Sequence, residues 1–200
     1  MSAYFSINQS GLHYLISAPA SCADRSFLLR LLASGDHRYA SIEQLNAMCE
    51  EERKQVAQRV YGLLKRGWLQ AVDKDTGIET DHHGFLQQLP ELSSSGEVLL
   101  ADAQGLVISS CGFARERISD LAASAARLLS VNEAARQRNM DLYNGRPWPL
   151  AMHWGELQVM AQMINLGTLK FVLVVGGDAQ LENRAFSALL GQLAGRYACG

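Results

Sequence analysis

Side chains that could do chemistry are few in this chain and far apart. The four cysteines stand at positions 22, 49, 111 and 199, with no paired spacing. That argues against a disulfide framework or a zinc site and for reduced thiols in a cytoplasmic setting. Cys111 closes an apolar run, and a thiol there can act as a nucleophile if a base such as His153 reaches it. No spacing joins the two residues, and a lone Cys at a strand end is usually a small hydrophobe. His82 and His83 are neighbours whose side chains would diverge by about 100° on a helix, with no thiol or carboxylate cluster beside them. Solvated histidines at a helix start are the plainer reading. The chain has no phosphate loop, nucleophile elbow or zinc spacing. The expectation is a protein that is no enzyme and takes no cofactor and no metal. Trp148, Met152, His153, Trp154 and Met160 can furnish an adaptable apolar binding surface instead, or ordinary core.

Charge offers a second kind of chemistry. Arg53, Lys54, Gln55, Arg59, Lys65 and Arg66 lie on one stretch of helical periodicity, and these are the candidates for contact with DNA. Against that, Glu50-Glu-Glu52 precedes the stretch and residues 1–80 hold nine basic and nine acidic side chains, so a protein-docking or packing module is the alternative. Phosphate neutralisation supplies most non-specific DNA affinity, so a balanced segment needs help, such as dimerisation, to bind tightly. The whole chain, at −2, gives no reason to expect wholesale attraction to nucleic acid or to acidic membranes. Its hydrophobic share of 48% over 200 residues is that of a globular protein, long enough for one large or two small domains. The N-terminus lacks a basic-then-apolar leader and no apolar run is long enough to span a membrane, so the expected setting is cytoplasmic, with no membrane insertion.

The elements that must position these residues divide near residue 81. Residues 1–20 read as an uncertain N-terminal extension: Tyr4–Ile7 and Leu12–Ile16 straddle Asn8-Gln-Ser-Gly11, which suggests a hairpin or one bent strand. Asp24 or Ser26 can cap a first helix carrying Phe27, Leu28, Leu31 and Leu32. Ser41 can cap a second, with Gln44 three residues later as in a capping box. A third runs from about Glu51 to Arg66, with Val56, Val60, Leu63 and Leu64 on one face, and Gly67 ends it. Trp68–Val72 and Ile78–Thr80 then read as strands around the turn-rich Asp73–Gly77. Ser41–Leu45, the run Leu-Leu-Lys-Arg-Gly-Trp-Leu at 63–69 and the hairpin after it make residues 1–80 resemble a winged helix-turn-helix. That resemblance implies a third helix that enters the DNA major groove.

Asp81 can cap a short helix with Phe85, Leu86 and Leu89, near Pro90. Val98–Ala101 and Leu106–Ile108 flank Asp102-Ala-Gln-Gly105, a hairpin signal. Val98–Ala101 does not alternate, which predicts a strand buried on both faces and a hairpin inside a sheet covered front and back. A long helix, Arg115 to about Arg138, carries Ile118, Leu121, Ala122, Ala125, Leu128 and Leu129 as an apolar stripe. Its Ala122–Ala126 waist is narrow enough for a helix–helix contact, or simply supplies propensity. After Asn144–Pro147 come strands at Leu150–Trp154, Leu157–Ile164 and Leu169–Val175, the last continuously apolar and so expected beside Val98–Ala101 at the sheet centre. A helix from Leu181 to Tyr197 finishes the chain.

The segment from Glu97 to Ser110, the Ala-rich helix, and Phe171–Val175 with its terminal helix make residues 82–197 resemble a Roadblock/LC7 domain. The resulting fold class is α+β: a winged-helix-like domain over residues 1–80, then a Roadblock/LC7-like α/β/α sandwich on a five-stranded antiparallel sheet over residues 82–200. The resemblance implies a domain without catalytic residues that homodimerises through its long helix and a neighbouring edge strand. Ala122, Ala125, Ala126, Leu129, Met152 and Trp154 are the dimer-interface candidates. It implies a regulatory or adaptor role, with a small Ras-like GTPase or other signalling protein as partner. The alternative is a dimeric DNA-binding transcriptional regulator that uses the winged helix.

Overall fold

In the computed structural model, residues 4–19, 22–34, 39–49, 52–72, 85–138 and 149–198 are described. The expected wing loop Asp73–Gly77, the strand Ile78–Thr80, the cap Asp81, His82, His83, Asn144–Pro147, Trp148 and Cys199 lie outside them.

Two runs of apolar residues form the middle of the larger sheet. β4 (Val98–Asp102) and β8 (Leu169–Gly176) pair antiparallel, from Val98 opposite Val175 to Asp102 opposite Phe171. With β5 (Val107–Cys111), β6 (Leu150–Trp154) and β7 (Leu157–Leu166) they make five strands in the order β5-β4-β8-β7-β6, every pair antiparallel. Period-2 geometry sends alternate side chains to opposite faces. Leu99, Ala101, Val172 and Val174 join the cluster under helix α6 (Arg115–Arg138), while Val98, Leu100, Leu173 and Val175 join the cluster on the other face. This is the front-and-back cover that the unalternating runs predict. The correction is β5, the partner of β4 in the hairpin, which is an edge strand.

The face away from α6 is covered by α7 (Arg184–Leu193), capped by Asn183 on the Phe186 N–H, and by two helices from the N-terminal half. The terminal helix expected to Tyr197 ends its α form at Leu193 and continues as a wider π turn, Ala194–Ala198. A short helix α5 (Phe85–Gln88) and a 3₁₀ turn (Leu89–Leu92) lead into β4, with Leu89 and Leu92 buried.

The N-terminal half corrects the reading of residues 1–20. Tyr4–Ile7 is a strand, β1, but Gln9–Ile16 is a helix, α1. Asn8 caps it, its Oδ1 accepting from the Gly11 N–H. Gly11 serves close approach and not a turn: a Cβ there would lie 2.1 Å from the Trp68 carbonyl oxygen. Helix α2 (Ala23–Ala33) has Cys22 at its N-cap without a side-chain cap bond, so neither Asp24 nor Ser26 caps it. After β2 (Tyr39–Ser41), α3 (Ile42–Met48) starts on the expected box, with the Gln44 N–H donating to Ser41 Oγ and the Ser41 N–H to Gln44 Oε1. Helix α4 (Arg53–Lys65) buries Val56, Val60 and Leu63, and β3 (Leu69–Val72) follows. β1 lies between β2 and β3, antiparallel to both, so the described partner of β3 is the N-terminal strand. The buried cluster runs unbroken from Leu12, Leu28 and Leu63 to Leu100, Ile164 and Phe186.

Candidate functional site

Helix α6 has two unlike faces. Leu121, Ala122, Ala125, Ala126 and Leu129 are buried against the chain's own sheet, with Leu99, Val159 and Val172 opposite. The small residues let the sheet and the β4–β5 turn approach the helix. Gly105, at φ +86°, sits where a Cβ would come 2.7 Å from the Ala123 Cα. The expectation puts a second chain against Ala122, Ala125, Ala126 and Leu129; the structure fills the narrow waist from within, with all four side chains buried against the chain's own sheet. The outward face carries Leu128 and Val131, 45% and 65% exposed. An ion pair of 2.7 Å between Lys170 Nζ and Glu133 Oε2 ties the far half of α6 to β8.

Strand β6 pairs with β7 on one side and with no other described strand. Leu150, Met152 and Trp154 are half-buried against the α6-side cluster, whereas Ala151 and His153 are exposed. Met152 and Trp154 therefore stand where an interface through β6 would reach them. Met160 packs against the opposite cluster, so Met152, Trp154 and Met160 do not form one surface.

The pairing of Cys111 with His153 does not occur. They sit on β5 and β6, the two edges of the sheet, four strand spacings or about 19 Å apart. The Cys111 thiol is also pushed up by burial, only partly offset by a backbone hydrogen bond at Val98, which suppresses the thiolate.

Among the DNA-contact candidates, Arg53, Lys54, Gln55 and Lys65 are exposed on α4 and Arg59 is half-buried. Arg66 is engaged within the chain. It forms an ion pair with Asp24, and its guanidinium lies 5.0 Å from the Trp68 ring centre. Trp68 in turn stacks on Tyr14 at 3.6 Å, and Arg25 covers the Tyr14 ring at 4.3 Å.

Nothing in the spacing of the chain singles out Cys22, yet its thiol lies among polar groups. Its Sγ lies 3.3 Å from the Tyr14 hydroxyl and 3.9 Å from Arg25 Nη1. Burial pushes this thiol up, but Tyr14, the Arg25 backbone N–H and the Arg25 charge outweigh it and hold it below its ordinary value. The Tyr14 hydroxyl is pushed up to about 12, by burial first and by Cys22 second. No signal along the chain marks this cluster, because Tyr14 lies on α1 and Cys22 at the start of α2. Among the described residues, no group of three His, Cys, Asp or Glu side chains could hold a metal ion, and no helix is long and apolar enough to cross a membrane.

No family model and no curated protein matches the chain. Solved structures similar to it include a Roadblock/LC7 domain from Streptomyces avermitilis, 19% identical, covering 58% of this chain and 93% of that one with a TM-score of 0.39. MglB in a tetrameric arrangement is 17% identical over 56% of this chain and 80% of that one, with a TM-score of 0.35. The gliding protein MglB from Thermus thermophilus is 23% identical over 56% and 81%, with a TM-score of 0.34.

Proposed function

We propose that this chain is a cytoplasmic regulatory adaptor that catalyses no reaction itself. In this reading it is a homodimer whose C-terminal α/β/α unit is a platform for a partner protein. The observation that carries the reading is a sheet edge that no other described strand pairs and an exposed helix face on the same side of the sheet. β6 is paired on one side, with Met152 and Trp154 leaning toward α6, and α6 turns Leu128 and Val131 outward. An open edge strand presents a row of backbone donors and acceptors that a two-fold partner can satisfy. Apolar side chains beside such an edge gain from being covered in the same contact.

The resemblance of residues 82–197 to Roadblock/LC7 domains points the platform at a small Ras-like GTPase or another signalling protein. Arg115, Arg117 and Arg127 are exposed on α6. An arginine supplied in trans can speed GTP hydrolysis by roughly 10³–10⁵. Here the arginines lie mainly toward the helix ends, so any acceleration comes from ordering the partner's switch segments. Light scattering at micromolar concentration should give twice the chain mass, and a monomer overturns the reading. A single Arg→Ala that abolished acceleration while leaving the complex intact would overturn the switch-ordering part alone.

A further inference from the structure

We draw no further inference here: the strongest candidate, the cluster of Cys22, Tyr14 and Arg25 between α1 and the start of α2, comes down to a single thiol held by its own neighbours, and nothing else in the structure points to a ligand for it.

Discussion

Ala126 and Val131 lie five residues apart on one helix, and a glutamate at each should have opposite consequences. Ala126 is 4% exposed within the cluster that holds Leu99 and Val172. A carboxylate there is an unpaired buried charge, which costs several kcal/mol. Its extra volume adds about 1–3 kcal/mol of overpacking. The sum approaches the roughly 5–15 kcal/mol by which domains are stable. Ala126→Glu should therefore melt at least ~10 °C lower or fail to fold, at about 2–4 °C per kcal/mol for a chain of this size. Val131 already leaves 65% of itself in water. With about 2 kcal/mol for full burial of a Val, losing the remaining third costs ~0.7 kcal/mol, or about 2 °C. If the outward face of α6 belongs to the dimer contact, Val131→Glu should give a folded monomer. Thermal melts by circular dichroism and light scattering read both variants. A folded, monomeric Ala126→Glu with an unchanged melt would show that the waist faces a second chain after all. A dimeric Val131→Glu would take the outer face of α6 out of the interface.

Three further outcomes follow from local geometry. Tyr14 has its hydroxyl raised from 10.0 to about 12, so its contribution is complete below about pH 10 and is lost as pH rises toward 12. A phenolate absorbance titration should show one late-titrating tyrosine that disappears in Tyr14→Phe, and its absence removes the basis for the claim. The opposite shifts of Cys22 and Cys111 predict that a small alkylating reagent labels Cys22 before Cys111 near neutral pH, and that Arg25→Ala narrows the difference; peptide mass spectrometry giving the reverse order would refute it. Ser41→Ala removes the acceptor for the Gln44 N–H at the start of α3 and should cost about 1 kcal/mol in denaturant unfolding, whereas no loss would mean the box is not formed in solution.

What could be read from the sequence and what could not separates by distance along the chain. Val98–Ala101 and Phe171–Val175 are apolar without alternation, and they lie on the two adjacent inner strands β4 and β8. The limits of α6 and the Ser41–Gln44 box are local patterns, and both appear where expected. Residues 8–16 misled for a physical reason. Asn8 and Gly11 are turn-forming types, but one caps a helix and the other makes room for the Trp68 carbonyl, a neighbour far away in sequence. The same limit applies to the surface residues. Helical periodicity marks Ala122–Ala126 as small but does not say which neighbour approaches, and the sheet does so from within. Arg66 counts as a free cation until Asp24, 42 residues earlier, is brought to it.

The packing of the N-terminal helices decides which surfaces a partner can use. α1 and α2 bury Leu12, Leu15, Ile16 and Leu28 in the same cluster as Leu100, Ile164 and Leu173. The Asn165 side-chain amide donates to the Ile16 carbonyl oxygen at 2.9 Å, and a Cβ on Gly167 would lie 3.2 Å from Leu29. The chain itself therefore covers that face of the sheet, together with α7. An outside protein is left with the α6 side and the two edge strands. α4 buries Val56, Val60 and Leu63 in that same cluster. A cluster packed at crystal-like density does not absorb strain locally. A variant that loosens α1 from β7 should therefore disturb both α4 and the sheet, whereas variants on the outward faces of α4 and α6 should act separately.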